Sequence, residues 1–356
     1  MFVIEGYDVN EMLSLGAIML AEIGHRESSR AGDVIVAPFP VVSVYENPTR
    51  RVLMSPTRDA NPFFHLMESL WMLAGRDDSA FLDVYVRDFG SRFAERGGVI
   101  HGAYGKRWRG GLGIDQLRVV VEKLRRNPQD RQCVIQMWDV GPFSLPTQEP
   151  EIYRADLTGN WKDRPCNTHV YLRVRGDGEF QMEHDGTECR GLVLDLTVCC
   201  RSNDMIWGAY GANAVHFSVL QEYLAGRIGV GVGKMYQFSN NFHAYVGALD
   251  RLGSPEDLVA EYQRLLPIPD STPIGDAWDA WDDDLRVFMT WHDNAFASLI
   301  PDFSNAWFSD VACTAALAHA HHRRGEREEA ITQALQIQAP DWREACVAWL
   351  GRRYAK

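Results

Sequence analysis

Asp163-Arg164-Pro165-Cys166-Asn167-Thr168-His169 is the stretch on which the reading of this chain turns. A proline fixes the backbone just ahead of a cysteine. An alternating run, Val170-Tyr171-Leu172-Arg173-Val174, follows as a strand. A thiol at the mouth of a strand, with Arg164 shortly before it, is a candidate nucleophile, because a nearby cation favours the reactive thiolate. A lone cysteine is more often a small core residue, so the rest of the chain has to decide between the two readings.

The 356 residues can bury a large core, in one domain or two. A formal charge of -12 argues against a non-specific nucleic-acid binder but leaves room for a small anion held by a few arginines. The seven cysteines show no CxxC and no zinc-type spacing, and the adjacent Cys199 and Cys200 alternate across a strand, so no metal site is expected. With neither a signal peptide nor a long apolar span, the expectation is a reduced, cytoplasmic protein with no membrane partner.

Residues 9–27 carry apolar positions at helical spacing, and the polar loop Glu27 to Gly32 ends them. Arg30, beside a glycine in that loop, suits an oxyanion or is a solvated surface residue. Val34–Val44 reads as a strand. Asn61-Pro62 opens a helix from Phe63 to Ala74 that is apolar over most of its surface. Glu68 sits among those apolar residues and needs a partner or a task, since an unpaired buried carboxylate is costly. Residues 79–101 read as a second helical stretch. Then His101-Gly102-Ala103-Tyr104-Gly105-Lys106-Arg107-Trp108-Arg109 packs glycines, aromatics and cations together, as a flat, charged ligand would require. A helix over 114–126, a strand over 133–138 and an irregular insertion over 141–162 follow. Beyond Cys166 and an excursion to Arg190, the pattern predicts a strand Leu192–Cys200, ended by Arg201-Ser202-Asn203-Asp204, where arginine and serine can grip a phosphate. Small residues from Trp207 to Asn213 lead into a helix Ala214–Ala225, and Lys234–Phe238 is a strand. Residues 267–283 look like a linker or surface loop, and three helices, 311–323, 326–338 and 341–353, complete the chain.

Taken in order, these pieces resemble thymidylate synthase and its relatives, the pyrimidine-nucleotide hydroxymethylases. The resemblance covers residues 28–245 and rests on five separated stretches: the Glu68 helix, Gly102 to Arg109, Arg164-Pro165-Cys166, Asp195 through Asp204 to Gly208 and Asn213, and Ser239-Asn240. It implies an α+β fold, a large mixed sheet covered by helices, with a catalytic domain over 1–265; the change of character near residue 265 adds a helical extension over 266–356, expected to pack on it. It implies a homodimer that shares arginines across the interface and a substrate that is a pyrimidine nucleoside monophosphate. The co-substrate would be 5,10-methylenetetrahydrofolate. By the same resemblance Cys166 is the nucleophile, Glu68 manages protons, and Tyr104 helps to remove the carbon-5 proton. Arg30, Arg201 and Ser202 hold the phosphate, with Arg131 reaching the neighbouring subunit. Asn213 reads the base, Tyr236 faces the sugar, and Asp204 and Trp71 lie at the folate.

The departures from the family pattern bear on the product. Asn167 stands where histidine usually follows the cysteine, Arg131-Gln132 where two arginines usually stand, Cys200 where glutamine usually precedes the phosphate arginine, and Tyr236 and Phe238 where histidine and tyrosine hold the sugar. The tryptophan that usually faces the transferred carbon is missing, with Phe89 or Phe93 near its place, and the step from Gly208 to Asn213 is one residue long. A wetter pocket favours water over hydride at the transferred carbon, hence hydroxymethylation. An asparagine at 213 favours uracil, hence dUMP. Thymidylate synthesis, a dCMP or CMP hydroxymethylase and a catalytically silent nucleotide-binding relative are the alternatives. A cysteine hydrolase pairing Cys166 with His169 is disfavoured, because three steps along a strand point the two side chains to opposite faces.

Overall fold

A computed structural model of the chain describes residues 1–140, 156–157, 159–177, 191–296 and 299–355. The expected insertion over 141–162 and the excursion up to Arg190 fall largely outside the described residues. Ten strands form two sheets. They are β1 (Phe2–Gly6), β2 (His25–Ser29), β3 (Gly32–Val36), β4 (Val41–Tyr45), β5 (Val134–Gln136), β6 (Asn167–Gly176), β7 (Leu192–Cys200), β8 (Asn203–Asp204), β9 (Gly231–Ser239) and β10 (Phe242–Tyr245). The larger sheet runs β1-β4-β9-β7-β6-β5, parallel at β1/β4 and β7/β9 and antiparallel elsewhere, so it is mixed. The smaller runs β2-β3-β10-β8. The single strand expected over 34–44 is therefore two strands in different sheets. Pro38 and Pro40 lie in the break, where the missing N–H groups cannot join a ladder.

The helices are α1 (Val9–Ile23), α2 (Pro62–Leu73), α3 (Ser79–Asp83), α4 (Phe89–Phe93), α5 (Tyr104–Lys106), α6 (Gln116–Arg126), α7 (Asn213–Ile228), α8 (Val246–Leu252), α9 (Pro255–Leu265), α10 (Trp281–Asp293), α11 (Thr314–Arg324), α12 (Arg327–Ala334) and α13 (Pro340–Tyr354). α2 begins as its sequence dictates: the Asn61 side chain accepts from the Phe64 amide, and Pro62 fills the first turn. Gly75, at φ +71°, closes it. The helical stretch expected over 79–101 is instead two short helices. Asp88 at φ +61° and the positive-φ pair Gly97-Gly98 interrupt it.

Two π turns matter for the site. One, Arg107–Gly111, follows α5; the other, Met205–Ala212, leads into α7. A π turn holds one residue more than the α turn it replaces, and the second is where the sequence carries its extra residue between Gly208 and Asn213. The extra residue is absorbed locally, and Asn213 still opens α7.

One apolar core runs from α1 and α2 over one face of the large sheet into the C-terminal helices. Phe63 of α2 packs on His319 and Trp349, 5.3 and 5.6 Å between ring centroids. α10 was not expected from sequence, and the expected linker before it ends in a fully buried Trp281.

Candidate active site

α2 and α7 cross with their buried faces together, and between them lies a cavity of about 170 Å³. Glu68, Trp71, Phe89, Tyr104, Asn213 and His216 are among the residues that line it. Glu68 is 7% exposed and His216 3%. Glu68 Oε2 lies 2.9 Å from His216 Nε2. The two groups are close but not aligned for a hydrogen bond, so Oε2 and both ring nitrogens are buried without a hydrogen-bond partner. Asp163 closes another wall, and burial pushes its carboxyl up to about 6, against the opposing pull of His101 and Arg107.

Cys166 stands beside this cavity, where β6 begins. Burial raises its thiol, and Arg201 pulls the other way. The cation that acts on the sulfur is therefore Arg201, from the end of β7, and not Arg164 as the sequence suggested. Arg164 turns instead to the Gly159 carbonyl. Arg201 also braces the loop: Nε donates to Pro165 O at 3.0 Å and its backbone N–H to Cys166 O at 2.9 Å. Burial drives the Tyr104 phenol well above its ordinary value.

A chain of buried amides leads away from the Cys166 strand end. The Cys200 thiol donates to Asn167 Oδ1 at 2.8 Å; Asn167 Nδ2 donates to Asn213 Oδ1 at 3.2 Å; Asn213 Nδ2 donates to Asn203 Oδ1 at 3.0 Å. Asn203 Nδ2 then donates to Gln237 Oε1 at 3.1 Å and Ser239 Oγ at 3.0 Å, and Gln237 Nε2 donates to Ala209 O at 3.3 Å. A carbonyl can only accept, so the last bond sets the direction of every amide before it.

Asp204 caps the second π turn, its Oδ1 accepting from the Ile206 and Trp207 amides at 2.8 and 2.6 Å. Its Oδ2 is buried without a partner, and burial raises its carboxyl. The Arg58 guanidinium lies 4.2 Å over the Trp207 ring. Trp71 offers the cavity only its ring, because its indole N–H donates to Asp78 O at 3.0 Å. Phe89 and Phe93, 4.8 Å apart between ring centroids, share that apolar wall.

The remaining expected site residues lie elsewhere. Tyr236 does not face this cavity: strand alternation puts it opposite Gln237 and Ser239, which bond Asn203, and it lies near Arg175. Arg30 is exposed at the tip of the β2–β3 hairpin, and Arg131 is exposed on the turn after α6. Ser202 is half-buried beside Arg201. Among the described residues no group of three or more His, Cys, Asp or Glu is placed to hold a metal ion. No described helix is long and apolar enough to cross a membrane.

The sequence profile of the family described as Thymidylate synthase matches residues 18–265. The chain belongs to the thymidylate synthase family. A protein of Pseudomonas phage M6 named deoxyuridylate hydroxymethyltransferase is 37% identical over 368 aligned residues, covering all of this chain and 95% of that one. A protein of the same name from Bacillus phage SP01 is 32% identical over 76% of this chain and 64% of its own length. A thymidylate synthase of Streptococcus pyogenes serotype M5 (strain Manfredo) is 28% identical over 46% of this chain and 50% of its own.

Membership in the thymidylate synthase family makes this a one-carbon transferase and implies methylenetetrahydrofolate as co-substrate. The residues present fit it: an apolar ring wall at Trp71, Phe89 and Phe93 suits flat aromatic rings, and the unpartnered oxygens of Glu68 and Asp204 suit their N–H groups. Three site residues escaped the sequence reading. His216 and Asp163 sit on elements that were recognised, but only the fold brings them to Glu68. Asn203 was read as one of several polar residues at a strand end, although its amide joins three elements.

Proposed function

We propose that the protein is a deoxyuridylate hydroxymethylase. It transfers a one-carbon unit from 5,10-methylenetetrahydrofolate to carbon 5 of dUMP and adds water, giving 5-hydroxymethyl-dUMP. The observation that carries this reading is the likeness along the whole chain to the phage M6 protein of that name. The site's chemistry agrees with it.

The Cys166 thiol gives up its proton to water, the thiolate sulfur adds to carbon 6 of uracil, and the ring electrons move to carbon 5 and the carbon-4 oxygen. Burial holds the thiol protonated at rest, so the incoming nucleotide meets it as a thiol, with Arg201 the nearby charge that favours ionisation. The folate supplies the electrophilic one-carbon unit. Tyr104, on the cavity wall, serves the removal of the carbon-5 proton. Loss of that proton and of the folate leaves an exocyclic methylene on carbon 5, still bonded through carbon 6 to sulfur. Water adds to the methylene, electrons return to the ring, and expulsion of the thiolate restores the 5,6 double bond. No oxidation occurs, so tetrahydrofolate is released.

Asn213 reads the base. With Oδ1 engaged by Asn167 and Nδ2 by Asn203, it keeps one acceptor site and one donor site. Those match the ring N–H and carbon-4 carbonyl of uracil; cytosine presents the reverse. Arg201 and Ser202 bind the phosphate. The protein is a homodimer in which Arg131, too far out to serve its own cavity, reaches the partner's phosphate.

Incubation with methylenetetrahydrofolate and each of dUMP, dCMP, UMP and CMP tests the reading. Mass spectrometry is expected to show 5-hydroxymethyl-dUMP and tetrahydrofolate. A methylated base with dihydrofolate, or turnover of a cytosine nucleotide in preference to dUMP, overturns it. Cys166→Ser is expected to abolish release of tritium from carbon 5 of the base.

A further inference from the structure

Hydration of the exocyclic methylene needs a group to take a proton from water, and position 167, next to the nucleophile, cannot supply one. Asn167 is fully buried and neutral, and its amide is committed to Cys200 and Asn213. Within the cavity, proton acceptors remain at Glu68 and His216, with Asp163 and Tyr104 on the walls. Burial keeps the Tyr104 phenol protonated. Asp163 Oδ2 packs against Gly102, where an added Cβ would come within 2.3 Å of it. Glu68 and His216 face each other at 2.9 Å, both more than nine-tenths buried, and Oε2, Nδ1 and Nε2 have no hydrogen-bond partner. Native interiors leave few polar atoms in that condition, and such atoms are expected where a ligand or reactant completes the set. Asn213, the base reader, begins the same helix one turn before His216.

We propose that His216 is a catalytic residue of the hydration step, acting with Glu68 as a pair that takes the proton of the attacking water. The inference rests on the hydroxymethylase reading above. Water oxygen bonds to the methylene carbon, the methylene π electrons move into the ring as the enolate, and the water proton is held between Glu68 Oε2 and His216 Nε2. Collapse of the enolate then breaks the carbon 6–sulfur bond. Either group alone would become an uncompensated buried charge at one stage: the carboxylate before the transfer, or the imidazolium after it. The pair shares one charge change over 2.9 Å. The signal in the sequence is a histidine one helical turn beyond the base-reading asparagine, on an otherwise apolar helix face.

The test compares wild type with His216→Ser and His216→Gln in the presence of dUMP, methylenetetrahydrofolate and β-mercaptoethanol, which captures an unhydrated methylene as a thioether. Three quantities are read: tritium release from carbon 5, 5-hydroxymethyl-dUMP and the thioether nucleotide. Retention of the covalent complex with 5-fluoro-dUMP and the folate, seen as a mass shift under denaturing conditions, shows that the site is assembled. Hydroxymethyl product is expected to fall about 10²-fold, the size of a general-base contribution. Tritium release should continue and the thioether become the main product. An unchanged ratio of hydroxymethyl to thioether product overturns the proposal. So does a parallel fall of tritium release and hydroxymethyl product with the covalent complex intact, which would place His216 at an earlier step. Loss of the covalent complex in both variants would make His216 structural and also overturns it. Dihydrofolate and a methylated base from the wild type would instead overturn the reaction itself, and the water step with it.

Discussion

At the scale of single residues, the proposed discrimination between uracil and cytosine is a matter of which way the Asn213 amide points. Asn213 could read either base if it were free to flip. It is not free, because the chain that ends on the Ala209 carbonyl has only one consistent direction, running back through Gln237, Asn203 and Asn213 to Asn167 and the Cys200 thiol. Reversing Asn213 would set two amide oxygens against each other at Asn203 and two N–H groups against each other at Asn167 in a buried site, at a cost of about 1–3 kcal/mol for each unsatisfied group. Asn213→Asp replaces the donor by an acceptor and is expected to raise the dCMP-to-dUMP ratio of kcat/KM by about tenfold or more, consistent with a bidentate contact of a few kcal/mol. Asn167→Ala removes one of the two bonds that fix the amide and should lower discrimination less. Steady-state rates with both nucleotides decide the matter, and an unchanged ratio in Asn213→Asp would place base reading elsewhere. The sequence singled out Asn213 by its place after Gly208, but not what fixes its amide. That lies in residues from β6, β7 and β9 of the larger sheet and β8 of the smaller, which meet only in the folded chain.

At the scale of elements, the site depends on how closely α5 approaches α2. Gly105 makes the approach possible: a Cβ there would stand 1.9 Å from the Met72 carbonyl oxygen, closer than any real contact. Gly105→Ala must therefore push α5 from α2, and Tyr104 is the next residue. The expected result is a fall in kcat of at least about tenfold, since a displacement of an ångström can cost 10²-fold, together with a lower Tm. Retained kcat would show that Tyr104 tolerates the shift and is not a positioned catalytic group. Here the sequence reading did well where the pattern was strong. α2 was clear from Asn61-Pro62 and its apolar run, and β7 from its alternation. α10 was missed because three aspartates, Asp282 to Asp284, open it and disguise its buried face. Two of them are bound within the fold: Asp282 to Arg109 at 2.7 Å and Arg227 at 2.6 Å, and Asp284 to Asn305 at 2.7 Å. Polar residues tied up by distant partners look like solvent in a sequence and like core in a structure.

At the scale of the molecule, the helices after residue 265 complete the core that backs α2. Phe63 of α2 lies against Trp349 and His319, Tyr85 donates or accepts at His292 Nε2 across 2.7 Å, and Arg353 pairs with Asp59. Residues 1–265 alone would expose these faces, and losing even one buried tryptophan side chain costs about 3–5 kcal/mol against a typical total stability of 5–15. The truncated chain is expected to be insoluble or to lack a cooperative thermal transition, read by circular dichroism; a soluble, cooperatively folding 1–265 would show that the extension is separable. The same docking should respond to acid. Burial drives His319 down to about 3, with His322, Arg323 and His292 adding to the effect, and drives His292 down to about 4. Unfolded histidine titrates near 6.5. Between the unfolded value and these folded values the unfolded chain binds more protons, so the contribution of each histidine is complete above about 6.5 and is lost as pH falls toward 4. Buried Asp163 and Asp341, both raised to about 6, act in the opposite sense, and the wild-type curve alone would mix the two. Replacing one histidine separates them. His319→Leu keeps an apolar ring-sized filler among Phe63, Tyr85 and Trp349 but cannot take a proton. Its Tm should fall less than that of the wild type between pH 7 and pH 5. Parallel losses in both proteins would mean that His319 does not titrate as the tail comes away from α2.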